Sequence, residues 1–366
     1  MNSYENLKVY FNDLIVGTLA KTNNNAIAFE YDNAWLNNGF SISPFSLPLE
    51  KKVFLPKYEP FNGLFGVFND SLPDGWGRLL VDRLFLKNKI NPSTVDNLNR
   101  LAVVQNSGMG ALSYKPEHRF EIYEKDYDLD KLAIECTKIL ESETSEDLDE
   151  LFKLGGSSGG AIPKILTKIN NEDWIIKFPS SVDPKNIGEQ EYQYSCIAKE
   201  CGINMPETRL FQSNKCSGFF GVRRFDRKNN EKIHMISVSG LLETSHRLPN
   251  LDYNILMKLT LKLTQNYQDI EQLYRLMCFN VFAHNRDDHS KNFSFIFDNN
   301  KKEWHLSPAY DLTYSSSFND EHATTINGEG KNPTLGDILK VAQNIDMDLT
   351  NARDIALDIR EKCKQL

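Results

Sequence analysis

At 366 residues the chain is too long for one small core, so two or three subdomains are expected. A hydrophobic content of 40% with 25% charged residues is that of an ordinary folded protein, and a net charge of −8 excludes a general basic footprint for nucleic acid, leaving a local patch or a DNA-binding partner. Cys136, Cys196, Cys201, Cys216, Cys278 and Cys363 form no CxxC pair, which argues against structural zinc and for reduced core thiols; no signal pattern or membrane-spanning apolar run is present, so the cytoplasm is the expected compartment, with no membrane partner.

Residues 7 to 31 read as strand and hairpin, with a turn at Asn12-Asp13 and a period-two apolar pattern in AIAFEY. Phe40 to Pro48 and Lys51 to Leu55 continue this β-rich start. Gly63 and Gly66 in an aromatic run point to close backbone packing. Asp70 to Arg78 is a turn opening onto an amphipathic helix, LLVDRLFLK, which closes a small α+β subdomain. Next come a capped turn at Asn91 to Arg100, a strand at MGALSYKP, and a helix from Leu129 to Glu141 with Leu132, Ala133, Cys136, Ile139 and Leu140 on one face. The acidic run 141–150 reads as a solvated loop and helix start.

Gly155-Gly156-Ser157-Ser158-Gly159-Gly160-Ala161-Ile162-Pro163-Lys164 is a loop whose amides can turn inward on phosphates. It lacks the Gly-Lys-Ser/Thr ending of a Walker loop, and in isolation it would also fit a domain linker. Two short strands, ILTKI and WIIKF, follow as a hairpin, and the second carries Lys177 among apolar neighbours. A lysine on such a central strand needs an anionic partner; a solvent-facing strand lysine is the alternative. The helix at 189–202, closed by Gly202, offers Glu191 as that partner, with Glu189 as second choice. Met205 to Phe211 and Gly218 to Phe225 read as strands that end where a hinge between lobes would fall.

The remainder reads as mostly helical, and its central helix, Leu273 to Phe282, stops abruptly at HNRDDHSKN. Charged groups directly after an apolar helix belong at the rim of a cleft. Asp287 and Asn292 have the spacing of the kinase catalytic-loop aspartate and asparagine, which suits orienting a hydroxyl and holding Mg²⁺. Asp311, in LSPAYDL after a short strand, supplies a second metal carboxylate. By itself the loop would fit a solvated turn with a capping aspartate more simply.

With these segments in place, the chain resembles the HipA-type serine/threonine kinases, toxins of bacterial type II toxin–antitoxin modules. The likeness rests on FGVFNDSLPDGWGR (65–78), SSGGAIPK (157–164), NRDDHSKNFSF (285–295) and SPAYDL (307–312), in that order. It implies an α+β, two-lobed, protein-kinase-like fold with an N-terminal β-rich accessory subdomain (1–105), an N-lobe-like part (106–228) and a helical C-lobe (229–366). It also implies Asp287 as catalytic aspartate and Asn292 with Asp311 as Mg²⁺ ligands. The ATP phosphates would lie under Gly159, Gly160, Ala161, Ile162, Pro163 and Lys164, with Lys177 as the α/β-phosphate lysine. Arg223, Arg224 and Phe225 would face adenine, and His289, Ser290, Lys291 and Tyr310 would lie beside the nucleotide. Ser157 aligns with the family's autophosphorylated serine, and Ser158 leaves the register open by one. The implied partners are a helix-turn-helix antitoxin of HipB type, through which alone DNA is reached, and a protein substrate of the aminoacyl-tRNA synthetase class, the glutamyl enzyme leading. A small-molecule kinase on the same scaffold and a catalytically silent nucleotide-binding module are the other classes the residues allow.

Overall fold

The structure is a computed structural model that describes residues 4–104, 107–118, 128–141, 145, 148–156, 158–180 and 182–366. The chain forms two compact units: Met1–Glu189 with Arg209–Ile236 and Gly240–Glu243, and Gln190–Thr208 with Ser237–Ser239 and Thr244–Leu366.

The first unit begins with β1 (Asn6–Phe11), β2 (Leu14–Lys21) and β3 (Ile27–Tyr31), then α1 (Asn33–Asn38) and β4 (Val53–Phe54). After α2 (Gly66–Asn69), α3 (Gly75–Lys87) and α4 (Asn97–Val104), β5 (Leu112–Lys115) completes a five-stranded sheet of order β4-β3-β2-β1-β5. The stretch Phe40–Pro48, expected as strand, is not one: apart from a bridge between Ser43 and Leu47 it is irregular. Its carbonyls are taken by side chains instead, that of Phe40 by Trp35 Nε1 at 2.9 Å and that of Leu47 by the Tyr31 hydroxyl at 2.7 Å. α1 was not foreseen; Asp32 caps it through the Ala34 amide. The glycine expectation for 61–68 holds at Gly66, where a Cβ would lie 2.3 Å from the Gly240 carbonyl oxygen.

The same unit continues with α5 (Leu129–Leu140), α6 (Leu148–Gly155), β6 (Lys164–Ile169), β7 (Glu172–Lys177), α7 (Ile187–Glu200), which runs on into the second unit, β8 (Thr208–Phe211) and β9 (Phe219–Arg223). β6, β7, β9 and β8 make a four-stranded sheet in that order, so Lys177 lies on an inner strand as read from the sequence. One face of this sheet is apolar: Ile165, Ile176 and Phe219 join Trp76 and Leu80 of α3, Leu132, Cys136 and Ile139 of α5, and Leu151 of α6 in one core. Residues 142–144, 146 and 147 of the acidic run lie outside the described residues, and its last three residues open α6.

Past β9, β10 (Arg227–Lys228) and β11 (Glu231–Lys232) form a small hairpin. Asp226, just before it, is fully buried and accepts from Arg224 Nη2 at 2.7 Å, Arg227 Nη1 at 2.8 Å and the Gly110 amide at 2.8 Å. Both arginines also donate to the Gly108 carbonyl, so this cluster clamps the segment before β5 to the end of β9. Burial alone would raise the Asp226 carboxyl, but the charges of Arg224 and Arg227 outweigh it and hold the group down at about 2. A folded-state value below the unfolded one stabilises the fold at pH above the unfolded pKa, and the contribution disappears as pH falls through the folded value. Asp226→Ala should therefore cost about 3–5 kcal/mol at neutral pH, since two guanidiniums lose their buried counter-charge. The difference from wild type, followed by urea unfolding, should shrink between pH 4 and about pH 2, where the wild-type carboxylate itself is neutralised.

The second unit contains β12's last residue and the start of α8 (β12 is Met235–Ser237, α8 Val238–Leu242), β13 (Leu251–Asp252), α9 (Tyr253–Thr264) and α10 (Tyr267–Phe282). β14 (Ser294–Asp298) and β15 (Glu303–Leu306) form an antiparallel hairpin, followed by β16 (Thr324–Thr325), α11 (Leu335–Gln343) and α12 (Leu349–Lys362). α10 is the spine: Ile270, Leu273, Tyr274, Met277, Cys278 and Phe279 are buried, and the Tyr274 hydroxyl donates to the Ala352 carbonyl of α12 at 3.1 Å. Among the described residues no helix is long and apolar enough to cross a membrane.

Candidate active site

In the second unit, α10 ends at Phe282 with Ala283 as its C-cap, and His284 takes a left-handed backbone (φ 53°) that a helix cannot continue. Asn285 is held at once: its amide donates to the Asn280 carbonyl at 2.9 Å and its Nδ2 to Asn280 Oδ1 at 3.0 Å. Asn280 Nδ2 in turn donates to the Tyr253 hydroxyl at 2.9 Å, and Tyr253 donates to Asp288 Oδ2 at 3.0 Å. His322 donates through Nδ1 to the same oxygen at 3.0 Å, and the Thr324 amide to Asp288 Oδ1 at 3.1 Å. Asp288 is thus a fully buried anchor fixed by α9, α10 and β16.

Successive residues of an extended segment face opposite ways, so burying Asp288 turns Asp287 outward. The Asp287 side chain is 63% exposed, with His289 Nε2 3.9 Å from its Oδ1. His289 Nδ1 accepts from the Lys291 amide at 3.3 Å, which leaves the ring proton on Nε2, facing Asp287. Crowding by surrounding atoms and the charges of Asp311 and Asp288 push the Asp287 carboxyl up, opposed by His289. Its exposure keeps that push modest.

Asn292 closes the turn: its Nδ2 donates to the Asp287 carbonyl at 2.6 Å and its amide to the His289 carbonyl at 2.9 Å. With the nitrogen of the side-chain amide so committed, Oδ1 occupies the other prong as an oxygen donor. Asp311 follows β15 through Ser307, whose amide donates to the Ser294 carbonyl at 2.9 Å, and Tyr310, whose hydroxyl donates to the Lys291 carbonyl at 2.8 Å and bonds Ser294 Oγ. Asp311 itself has φ 53°, the left-handed region, which aspartate tolerates better than most residues. The Tyr310 bond to the Lys291 carbonyl and the bridge between Asn285 and Ser315 hold residues 310–315 beside 285–291, so Asp311 stands in the neighbourhood of Asp287, whose carboxyl its charge helps to push up. Asp287, Asn292 and Asp311 are therefore brought together; Lys291 and Tyr310 are half-buried beside them, and Ser290 is buried with its carbonyl bonded to the Ser239 amide.

No group of three or more His, Cys, Asp or Glu side chains that could hold a metal ion exists among the described residues. An all-protein cage is not what Mg²⁺ asks for: it takes one or two protein oxygens and completes its shell with water and phosphate. The Asn292 amide oxygen and the Asp311 carboxylate fit that demand.

In the first unit, the glycine segment turns from α6 into β6. Ser158 is buried and its hydroxyl donates to the Gly155 carbonyl at 2.6 Å, so a phosphate there requires the side chain to leave that bond. Ser157 lies outside the described residues. Gly160 and Ala161 are exposed, Gly159 and Ile162 half-buried, and the buried Pro163 accepts at its carbonyl from the Phe178 amide at 2.8 Å. Lys164 and Lys177 are direct cross-strand partners on β6 and β7, and both are buried. Lys164 Nζ donates to the Gly159 carbonyl at 2.6 Å, while Lys177 Nζ sits 5.6 Å above the Phe220 ring. Like charges opposite one another destabilise a sheet, and an anion at the loop would offset that. The sequence reading singled out Lys177 as the strand lysine and set Lys164 only among the loop residues, because the pairing depends on strand register.

The hinge side chains have other occupations: Arg223 Nη1 bonds Glu172 at 2.6 Å, and Arg224 is buried on Asp226. Phe225 is half-buried. Glu191 is buried on α7 in the second unit, and Glu189, half-buried, belongs to the first. Sequence reasoning missed the Asp288 network, since a DD pair does not reveal which carboxylate turns inward.

Two family models match the chain: the HipA N-terminal domain over residues 7–115 and the HipA-like C-terminal domain over residues 156–366. The chain belongs to the HipA family. Its fold is HipA-like as well: HipA of the Shewanella oneidensis MR-1 toxin–antitoxin complex with HipB and operator DNA superposes with a TM-score of 0.70 at 18% identity, over 98% of this chain and 88% of that one. Curated relatives are more distant in extent. A Sinorhizobium fredii protein named "Putative kinase Y4dM" is 28% identical over 38% of this chain and 36% of its own length. A Haemophilus influenzae protein, also named as a kinase in that way, is 26% identical over 47% of this chain and 56% of its own. The matched region thus spans about a third to just over half of the length of those two curated relatives.

Proposed function

We propose that the chain is a Mg²⁺–ATP-dependent serine/threonine protein kinase acting as the toxin of a HipBA-like toxin–antitoxin pair. The observation that carries the reading is the grouping of Asp287, outward and exposed, with Asn292 locked on its carbonyl and Asp311 close enough to bias its charge. Asp287 would accept and orient the proton of the attacking hydroxyl. Asn292 and Asp311 would hold the metal, and Mg²⁺ when bound neutralises charge on the β/γ-phosphates. Lys164 and Lys177 would position those phosphates under Gly159 to Lys164, with Glu191 as the carboxylate partner of Lys177. Because the side chains of Arg223 and Arg224 are engaged elsewhere, contact with adenine from 223–225 would run through backbone groups. His289, Ser290, Lys291 and Tyr310 would line the nucleotide's other flank.

The names of the two kinase-like relatives and the Shewanella complex support this reading, the latter also supporting a helix-turn-helix antitoxin of HipB type that supplies DNA contact. The division 1–105, 106–228 and 229–366, the cytoplasmic setting and a synthetase substrate, the glutamyl enzyme leading, belong to the same proposal.

A phosphate on Ser157, or on Ser158, adds about −1.5 to −2 charge to the site roof and should disfavour nucleotide through repulsion. Cells expressing wild type should slow in growth and show new phosphoserine or phosphothreonine on a translation enzyme, and cells expressing Asp287→Gln should show neither. Mass spectrometry of purified enzyme with ATP should find the modification on 157 or 158. Label transferred only to metabolites would instead assign a small-molecule kinase.

A further inference from the structure

The segment Asp70 to Arg78 has no role in the chemistry above, yet it is built against the glycine loop. Asp74 stands at the N-cap of α3 but does not cap its own helix. An aspartate there ordinarily accepts from an amide of its own first turn. Here its Oδ1 accepts instead from the amide of Gly160. The Trp76 amide returns a bond to the Gly160 carbonyl at 2.9 Å, and Trp76 Nε1 donates to the Lys164 carbonyl at 3.0 Å. Residue 160 thus exchanges both its backbone groups with the start of α3.

The glycines of the two segments fit this interlock. Gly75 has φ 43°, and a Cβ on it would lie 2.4 Å from the Gly160 carbonyl oxygen; one on Gly77 would lie 2.2 Å from that of Ser158. Backbone meets backbone there, so no side chain can be inserted without moving the loop. Gly159 rides over the same carboxylate, its would-be Cβ 3.1 Å from Asp74 Oδ1.

An amide has one hydrogen to give. The Gly160 N–H cannot serve Asp74 and a phosphate oxygen together, and a carboxylate next to that amide repels a polyphosphate. We propose that Asp74 is a latch on the glycine loop: it holds the Gly160 amide in the nucleotide-free protein and competes with the incoming anion for it. Nucleotide binding then proceeds by releasing the loop from α3, so the N-terminal subdomain sets the affinity of the roof without touching the nucleotide. Asp74 is a positioning residue in this scheme. The anion's identity rests on the kinase reading; the latch itself does not.

The test measures two things on full-length wild type, Asp74→Asn and Asp74→Ala, each first checked for an unchanged thermal melt. Hydrogen exchange of the 158–161 peptide is read without nucleotide and with Mg²⁺–ATP, and affinity is measured for Mg²⁺–ATP and for inorganic tripolyphosphate. The latch predicts slow exchange in nucleotide-free wild type and fast exchange in nucleotide-free Asp74→Ala, with protection returning in Asp74→Ala when Mg²⁺–ATP takes over the amide. It predicts affinity at least three-fold tighter in Asp74→Ala, with Asp74→Asn, which keeps an acceptor but not the charge, in between. A contact that merely shapes the loop predicts weaker binding in Asp74→Ala, and that result overturns the proposal; so does unchanged affinity with exchange as slow as in wild type. If wild type binds neither anion, the kinase reading fails, and the exchange rates alone decide the latch: protection lost in Asp74→Ala keeps it, protection retained removes it.

Discussion

Asp287→Asn is expected to lower phosphoryl transfer by about 10²–10⁴-fold, the range typical of a removed general base, while leaving the protein folded. The carboxylate is largely solvent-exposed, and the His289 Nε2 that faces it stands 3.9 Å away, beyond hydrogen-bond distance. Stability should therefore change by no more than about 0.5 kcal/mol. Asparagine keeps the shape of the side chain but cannot take a proton. The Asp287 carbonyl that positions Asn292 is backbone and survives the substitution. Asp311, Asn292, Lys164 and Lys177 also remain, so nucleotide affinity should stay within about threefold of wild type if binding and chemistry are separable. Label transfer from ATP to protein in a lysate, set beside nucleotide titration, checks both halves. Binding without turnover in wild type, unaltered in the variant, would make the chain a silent nucleotide-binding module.

The neighbouring substitution should behave in the opposite way. Asp288→Ala removes the acceptor used by the Tyr253 hydroxyl, His322 Nδ1 and the Thr324 amide, all of them buried. Each group stranded without a partner costs about 1–3 kcal/mol, so the loss should reach about 3 kcal/mol or more. The second consequence is positional. β16 and α9 would lose their joint hold on the 285–292 turn, and activity would fall because Asp287 and Asn292 lose their registration. Urea unfolding should show a clearly lower midpoint for Asp288→Ala and an unchanged one for Asp287→Asn. Equal midpoints for the two variants would remove the distinction between the anchoring and the reacting aspartate.

Much of this is legible in residue order alone. Glycine-serine clusters break regular structure wherever they occur, an apolar helix followed by charged residues must surface, and alternating apolar residues make strands; these are local consequences of backbone freedom and solvation. So the hairpin of β6 and β7, the end of α10, and the candidates Lys177, Asp287, Asn292 and Asp311 could be named from residue order. The stretch Phe40–Pro48 shows the limit of that method: its apolar pattern fits a strand, but Trp35 and Tyr31 claim its carbonyls and no ladder forms. Which carboxylate of Asp287-Asp288 faces water depended on Tyr253, His322 and Thr324, all more than thirty positions away in the chain. That Lys164 and Lys177 meet depended on strand register, and that Asp74 bonds Gly160 depended on α3 packing against the four-stranded sheet. Residue order determined the elements and the chemistry they carry. Tertiary structure decided which groups are buried and which meet, because burial and hydrogen-bond partnership are properties of neighbours in space, and a single chain's sequence encodes those only through the fold it reaches.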